Sequence, residues 1–226
     1  MSAKNVLHIF ETINTEEKAY WLGFLYADGS VGSNEAKIEL GLAEQDLHQI
    51  EKFRDFIGIQ NKISYRKNTK SYRFSFRSKS CKEDLIKQGC VPKKSLVLQF
   101  PTKEQVPDKF LKDFIRGYFD GDGWFTNTES CFQVGIVSTE DFILGLLERM
   151  QELLPDLKYD SALYQNHKGN NVTKKYYFNS FKDVYIFLNW IYTNAQVYLD
   201  RKYEHYQDFL KNGSKYHKTK QQIQII

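Results

Sequence analysis

The chain has 226 residues, of which 41% are hydrophobic and 15% aromatic, so it can bury a substantial core and is not a disordered chain. Lys and Arg number 32 against 28 Asp and Glu, a formal charge of +4 that is too mild to establish a nucleic-acid partner without knowing where the charges sit. Cys81, Cys90 and Cys131 are odd in number and lack Cys-x-x-Cys spacing, which argues against a disulfide framework or a zinc site and for a reducing compartment.

The start of the chain is acidic and has no long apolar run, so no signal or transit peptide is expected. No stretch approaches the length of a membrane span, and a cytoplasmic or other reducing compartment is expected. Asn14-Thr15-Glu16-Glu17 reads as a helix start with Asn14 as cap, and the helix runs to about Ala27. Glu35–Leu42 alternates, with Ala36, Ile38, Leu40 and Leu42 on one face, and predicts a half-buried strand. Asp46 then caps a helix carrying Leu47, Ile50, Phe53 and Ile57 and stopped by Gly58. Lys62–Arg66 and Ser71–Arg77 form a hairpin around Lys67–Lys70, with Tyr72, Phe74 and Phe76 facing inward. Ser80 opens a short helix that ends at Gly89. Residues 96–107 carry prolines and no periodicity, and read as a linker between a half at 1–95 and a half at 108–226.

The second half repeats the order. Asp108 caps a helix. Phe132, Val134 and Ile136 alternate in a strand, and Ser138 starts a helix that closes near Pro155. Ser161–Asn166 and Thr173–Phe178 form a second hairpin, and helices follow at Phe181–Trp190 and about Leu199–Leu210.

One stretch occurs twice, as Trp21–Gly29 (WLGFLYADG) and Ile115–Gly123 (IRGYFDGDG). Gly23 and Gly117 are each followed four residues on by a small residue, Ala27 or Gly121, so one helix face is stripped of bulk and two such helices can meet backbone to backbone. Gly29 and Gly123 suit the left-handed position that ends a helix, leaving Asp28 and Asp122 at the partially negative helix ends. Packing the helices together brings the carboxylates together, an arrangement that favours a divalent cation between them.

These two stretches resemble the paired motifs of the LAGLIDADG homing endonucleases, in the single-chain, two-motif form. Tyr26 departs from the name motif at its sixth position, where the second copy keeps Asp120. The resemblance implies an α+β fold of two tandem pseudo-symmetric αββαββα-type halves, with the motif helices at the seam and the antiparallel sheets forming a DNA-binding saddle. It implies a monomer that cuts both strands of a long asymmetric DNA target with Mg²⁺ and leaves short 3′ overhangs. Asp28 and Asp122 would hold the metal, with backbone carbonyls at Ala27 and Gly121 as further ligands. By the same resemblance, Lys94 and Lys202 would reach the active site, and Glu44 and Ser138 would stand at matched places with unlike polar roles.

DNA contact needs ribbons with polar side chains on one face. Lys37, Arg66, Lys70, Arg73 and Arg77 supply this in the first half, and Lys158, Gln165, Lys168, Lys175 and Tyr177 in the second. Aligning Tyr72 with Tyr176 places Arg73 against Tyr177 and Ser71 against Lys175, so the two half-sites are expected to differ. Glu35 and Glu39 share the outward face and could accept from cytosine amino groups. Two other functions share the motif: an RNA-binding splicing cofactor with intron RNA as partner, and a DNA-binding regulator without catalysis.

Overall fold

The computed structural model describes residues 8–128, 131–159, 164–165 and 173–213. The first half runs α1 (Glu16–Ala27), β1 (Gly29–Val31), β2 (Lys37–Ala43), α2 (Leu47–Ile57), β3 (Ser64–Arg66), β4 (Ser71–Arg77) and α3 (Lys79–Lys87). The second runs α4 (Leu111–Asp122), β5 (Gly123–Thr128), β6 (Cys131–Thr139), α5 (Glu140–Leu153), β7 (Tyr164–Gln165), β8 (Thr173–Phe178), α6 (Phe181–Tyr192) and α7 (Asp200–Asn212). Each half has one antiparallel four-stranded sheet, ordered β1-β2-β4-β3 and β5-β6-β8-β7. Together these are the two tandem α+β halves that the sequence implies.

Helix α1 lies at the centre. Ala19 through Tyr26 are all buried, so it is apolar on every side, as a helix surrounded by protein must be. Its partner is α4. A side chain leaving Gly23 would end 2.0 Å from the Phe114 carbonyl oxygen, and one leaving Gly117 would end 1.9 Å from that of Tyr20. The two contacts are rotational copies of each other, as an approximate twofold axis between the helices requires. Each places an α-hydrogen toward a carbonyl oxygen, a geometry that recurs where helices touch through glycine.

Outside the seam, each sheet buries one face and leaves the other polar. Ile38, Leu40, Phe74 and Phe76 are buried in the first sheet, and Val134, Ile136, Tyr176 and Phe178 in the second. Helices α2 and α5 cover these faces.

Several local expectations change. The cap of α1 is Thr15, whose hydroxyl accepts from the Lys18 amide; that of α3 is Ser78 and that of α5 is Thr139. Asp46 stands at the start of α2 without capping it, because its carboxylate is taken by Arg201. Asp108 opens a single 3-10 turn before α4 and is held by Arg149. The linker is not loose. Arg149 donates to the carbonyls of Pro101, Thr102 and Val106, and Leu98 and Val106 are buried.

The ladders also fix which residues of the halves correspond. Gly29 pairs with Leu40 and Gly123 with Ile136, so Leu40 matches Ile136. Gly41 then matches Val137, and through their partners Arg73 matches Lys175. The alignment of Tyr72 with Tyr176 is two residues out: Tyr176 corresponds to Phe74. A slip of two is invisible to hydrophobic pattern, because side chains on a strand alternate with period two. The same slip separates Glu44 from Ser138: Leu42 matches Ser138, and Glu44 matches Glu140.

Candidate active site and nucleic-acid face

The seam between α1 and α4 ends where both Asp-Gly pairs stand. Asp28 is the C-cap of α1 and Asp122 the last residue of α4. Gly121 has no room for a side chain, since a β-carbon there would lie 2.4 Å from that of Ala27 and 3.1 Å from Oδ2 of Asp28. The small residues thus bring the two helix ends together.

Neither terminal glycine is left-handed. Gly29 opens β1 and Gly123 opens β5 with φ −81° and ψ 161°. Glycine is required there for space: a β-carbon on Gly29 would lie 2.6 Å from the Leu25 carbonyl oxygen, and one on Gly123 2.5 Å from that of Phe119. In the first half the turn is Asp28 itself, and in the second α4 runs from Asp122 directly into β5, so each Asp stands on the corner between helix and strand.

Both Asp residues are open to solvent on one side and crowded by protein on the others. This crowding, then Asp122, pushes the Asp28 carboxyl up to about 6, against the pull of Lys202 and Lys94. Asp122 is likewise raised by loss of solvent, opposed by Lys94, Lys202 and a hydrogen bond with Tyr118.

The two lysines occupy equivalent places. Lys94 Nζ donates to the Gly29 carbonyl at 2.5 Å, and Lys202 Nζ donates to the Gly123 carbonyl at 2.6 Å and also to that of Phe119. Each ammonium therefore reaches back to the glycine that follows its half's Asp. They differ in setting. Lys94 is half-buried, whereas Lys202 is buried, which pushes its ammonium down to about 8 despite Asp120, Asp28 and Asp122 nearby. Ser138 is also present: it accepts from the Tyr118 hydroxyl at 2.8 Å and lines a cavity of about 170 Å³ with Ala27, Lys94 and Asp122. Glu44 is not brought to the site; it is exposed and accepts from Tyr65 at 2.9 Å on the β3 side.

The donor set suits a hard divalent cation. Two crowded carboxylates held above their ordinary range gain from one, and among the described residues no cluster of three or more His, Cys, Asp or Glu competes. Such a cation keeps waters and substrate oxygens as its other ligands. A carboxyl with a raised folded pKa holds its proton more tightly when folded. It favours the fold at low pH and loses that contribution as pH rises from about 4 through about 6. Mg²⁺ should replace the proton and raise Tm more at pH 7.5 than at pH 5, and Asp28→Asn should abolish the difference. Calorimetry at the two pH values checks this, and equal Mg²⁺ shifts at both would contradict it.

The polar face of the first sheet is an ion-pair network. Glu39 takes Lys37 at 2.7 Å and Arg73 at 2.7 Å, and Glu35 takes Arg77 at 2.6 Å. Arg66 and Lys70 stand exposed at the β3–β4 turn. The matched row on the second sheet is aromatic. Where the first sheet has Ser30, Glu39 and Ser75 side by side, the second has Trp124, Gly135 and Tyr177. Trp124 and Tyr177 approach over the glycine, their ring centroids 6.5 Å apart. Lys175 shares the outward face with Tyr177, and Gln165 pairs across β7–β8 with Lys174. Lys158 is on no strand: it lies beyond α5, its amide held by Asp183 in the first turn of α6. Lys168 lies outside the described residues.

Two buried polar centres escape a sequence reading. Asp120 accepts from Tyr20, Tyr192 and the Leu199 amide, and Arg116 binds Glu16, Asp113 and the carbonyls of Ile191 and Val197. Both stand inside the second motif, but most of their partners lie far away in sequence, and a charged residue in a helix gives no sign of which distant group it meets.

Two family models match. Residues 109–192 match a LAGLIDADG-like domain and residues 17–88 match the WhiA LAGLIDADG-like domain. Solved structures share the fold. The meganuclease I-SmaMI bound to uncleaveable DNA is 15% identical with a TM-score of 0.55 over 85% of this chain and 88% of its own. The I-LtrWI LAGLIDADG homing endonuclease bound to target DNA is 13% identical with a TM-score of 0.52, over 88% and 92%. Among curated proteins, a probable translation initiation factor IF-2 of Methanocaldococcus jannaschii is 26% identical over 164 residues, 70% of this chain; the chain spans 13% of that protein's length.

Proposed function

Since the chain belongs to the LAGLIDADG family in its single-chain, two-motif form, we propose that it is a site-specific endonuclease that cuts both strands of an asymmetric DNA duplex. The observation that carries this reading is the matched pair of corners. Each has an Asp at a helix end and a lysine tied to the carbonyl of the glycine that follows it. A catalytically silent DNA-binding protein has no need of both acids and both lysines.

Asp28 and Asp122 are the residues that would hold a divalent cation, with Ala27 and Gly121 at the same seam. The cation's chemistry would be to lower the pKa of an attacking water and to neutralise charge on the scissile phosphate. Lys94 and Lys202 keep N–H groups beyond those given to the backbone, and these can stabilise the phosphate or orient the water. Burial lowers the proton affinity of Lys202 to about 8, which leaves it mostly charged at neutral pH, and a phosphate brought beside it would hold that charged form more firmly.

Duplex DNA would lie across the polar sheet faces. Arg73 and Lys175 stand at matched positions and differ in chemistry, which supports a non-palindromic target. Arg73→Ala is expected to relax preference at one base position by about 1–3 kcal/mol if its fork reads guanine. Lys175→Ala should weaken binding to every sequence and lower the salt slope by about one. Footprints of the two variants should fail over opposite half-sites; failure over the same half would end the one-sheet-per-half arrangement.

A plasmid library carrying randomised inserts, incubated with the protein and Mg²⁺ and sequenced at its cut ends, tests the function directly. Recovery of one recurrent target cut on both strands is the expected result. The WhiA-type match of the first half leaves room for one alternative, a protein that binds DNA without cutting it. Selective binding with no cleavage under any divalent cation would establish that reading in place of the nuclease.

A further inference from the structure

The sixth residue of each motif differs, Tyr26 in one and Asp120 in the other, and each is buried. Each makes its contact with the segment that delivers its half's lysine. Asp120 accepts at 2.7 Å from the amide of Leu199, the residue that caps α7. Within the next turn the Lys202 amide returns to the Leu199 carbonyl at 3.0 Å, and the Lys202 ammonium reaches Phe119 and Gly123 on either side of Asp120 and Asp122. The Tyr20 hydroxyl at 2.8 Å and the Tyr192 hydroxyl at 2.6 Å fix the same carboxylate.

The first half does the corresponding job with opposite polarity. The Tyr26 hydroxyl donates at 2.5 Å to the carbonyl of Gln88, the residue that ends α3. Gly89 leaves the space this needs, since a β-carbon there would lie 2.0 Å from the hydroxyl, and its φ of +90° turns the chain. Cys90 is then held by the Leu85 carbonyl, and Lys94 arrives at Gly29.

We propose that Tyr26 and Asp120 are equivalent positioning residues, each setting one lysine, Lys94 or Lys202, against its own Asp-Gly corner. Neither touches substrate. The proposal rests on the nuclease reading and adds that the two corners are tuned separately, so each strand of the target depends on one tether. A group displaced by about 1 Å loses rate far out of proportion to the change in structure.

The test uses the target recovered from the library, labelled on one strand at a time. Lys94→Ala and Lys202→Ala first identify which strand each lysine serves. Tyr26→Phe is then expected to slow the Lys94 strand by about tenfold or more while the other strand keeps its rate, yielding nicked product. Asp120→Asn should do the reverse. Tyr26→Phe removes one oxygen and keeps the ring, so it carries the test alone should Asp120→Asn not fold. Equal slowing of both strands, in step with a fall in Tm, would overturn the proposal and assign the two residues to stability only. A wild-type protein that cuts neither strand would overturn the nuclease reading, and the proposal with it.

Discussion

Asp122→Asn, and separately Asp28→Asn, is expected to abolish double-strand cleavage while leaving DNA affinity within a few-fold of the parent protein. The two carboxylates stand at the meeting of two helix C-termini, where dipole and crowding both oppose negative charge. The proposed divalent cation would offset that opposition. Removing one acid halves the ligand charge at the point where charge develops in the reaction, and losses of roughly 10²–10³-fold or more follow from removing one stabilising group of that kind. Affinity should persist because the proposed DNA contacts lie on the sheet faces, whose charged residues the substitution does not touch. Without metal, the asparagine variants should be no less stable than the parent, since the like-charge contact is gone. Gel shifts, strand-resolved cleavage and thermal melts measure the three quantities. Cleavage at the parent rate by either variant would remove the metal-site assignment.

What the sequence discloses here follows from the range of each interaction. The motif helices, their seam and the meeting of Asp28 with Asp122 depend on spacing within nine residues, and the repeat supplies the partner. The lysines are legible only through the resemblance, since nothing local distinguishes Lys94 from Lys93 or Lys202 from its neighbour Arg201. Helix caps are misread where polar residues run together, as in Asn14-Thr15 or Ser78-Lys79-Ser80, because every member satisfies the local rule and packing chooses one. The Asp-Gly glycines read as left-handed stops, yet they are extended residues selected by the crowding of Leu25 and Phe119. The correspondence of the sheets is two residues out because alternation cannot register an even slip. Asp120 and Arg116 are invisible for a different reason: Tyr192, Leu199 and Val197 lie some 70 to 80 residues away in sequence.

Gly117→Leu should be more damaging to the fold than either Asp substitution, and Gly117→Ala should already be severe. The β-carbon alone would lie 1.9 Å from the Tyr20 carbonyl oxygen and 2.9 Å from the Phe24 amide nitrogen. Both obstacles are helix backbone and neither can rotate away, so relief requires the axes of α1 and α4 to separate. Separation would unpack Ala19 through Tyr26 on one side and Phe114 through Phe119 on the other, all of them buried. Overpacking a core costs about 1–3 kcal/mol when side chains can yield; here only backbone is available, and the loss should exceed that range. Gly23→Ala meets the Phe114 carbonyl at 2.0 Å and should match it. Gly58→Ala is the control. Gly58 has φ +73° and open space around it, so the cost should be confined to left-handed strain of about 1–2 kcal/mol. The two motif variants should also lose cleavage faster than they lose secondary structure, because opening the seam parts Asp28 from Asp122 before it melts the sheets. Melts followed by circular dichroism, with cleavage measured on the same samples, decide the matter: a Gly117→Ala protein with the parent's Tm and activity would show that the helices do not meet through their glycines.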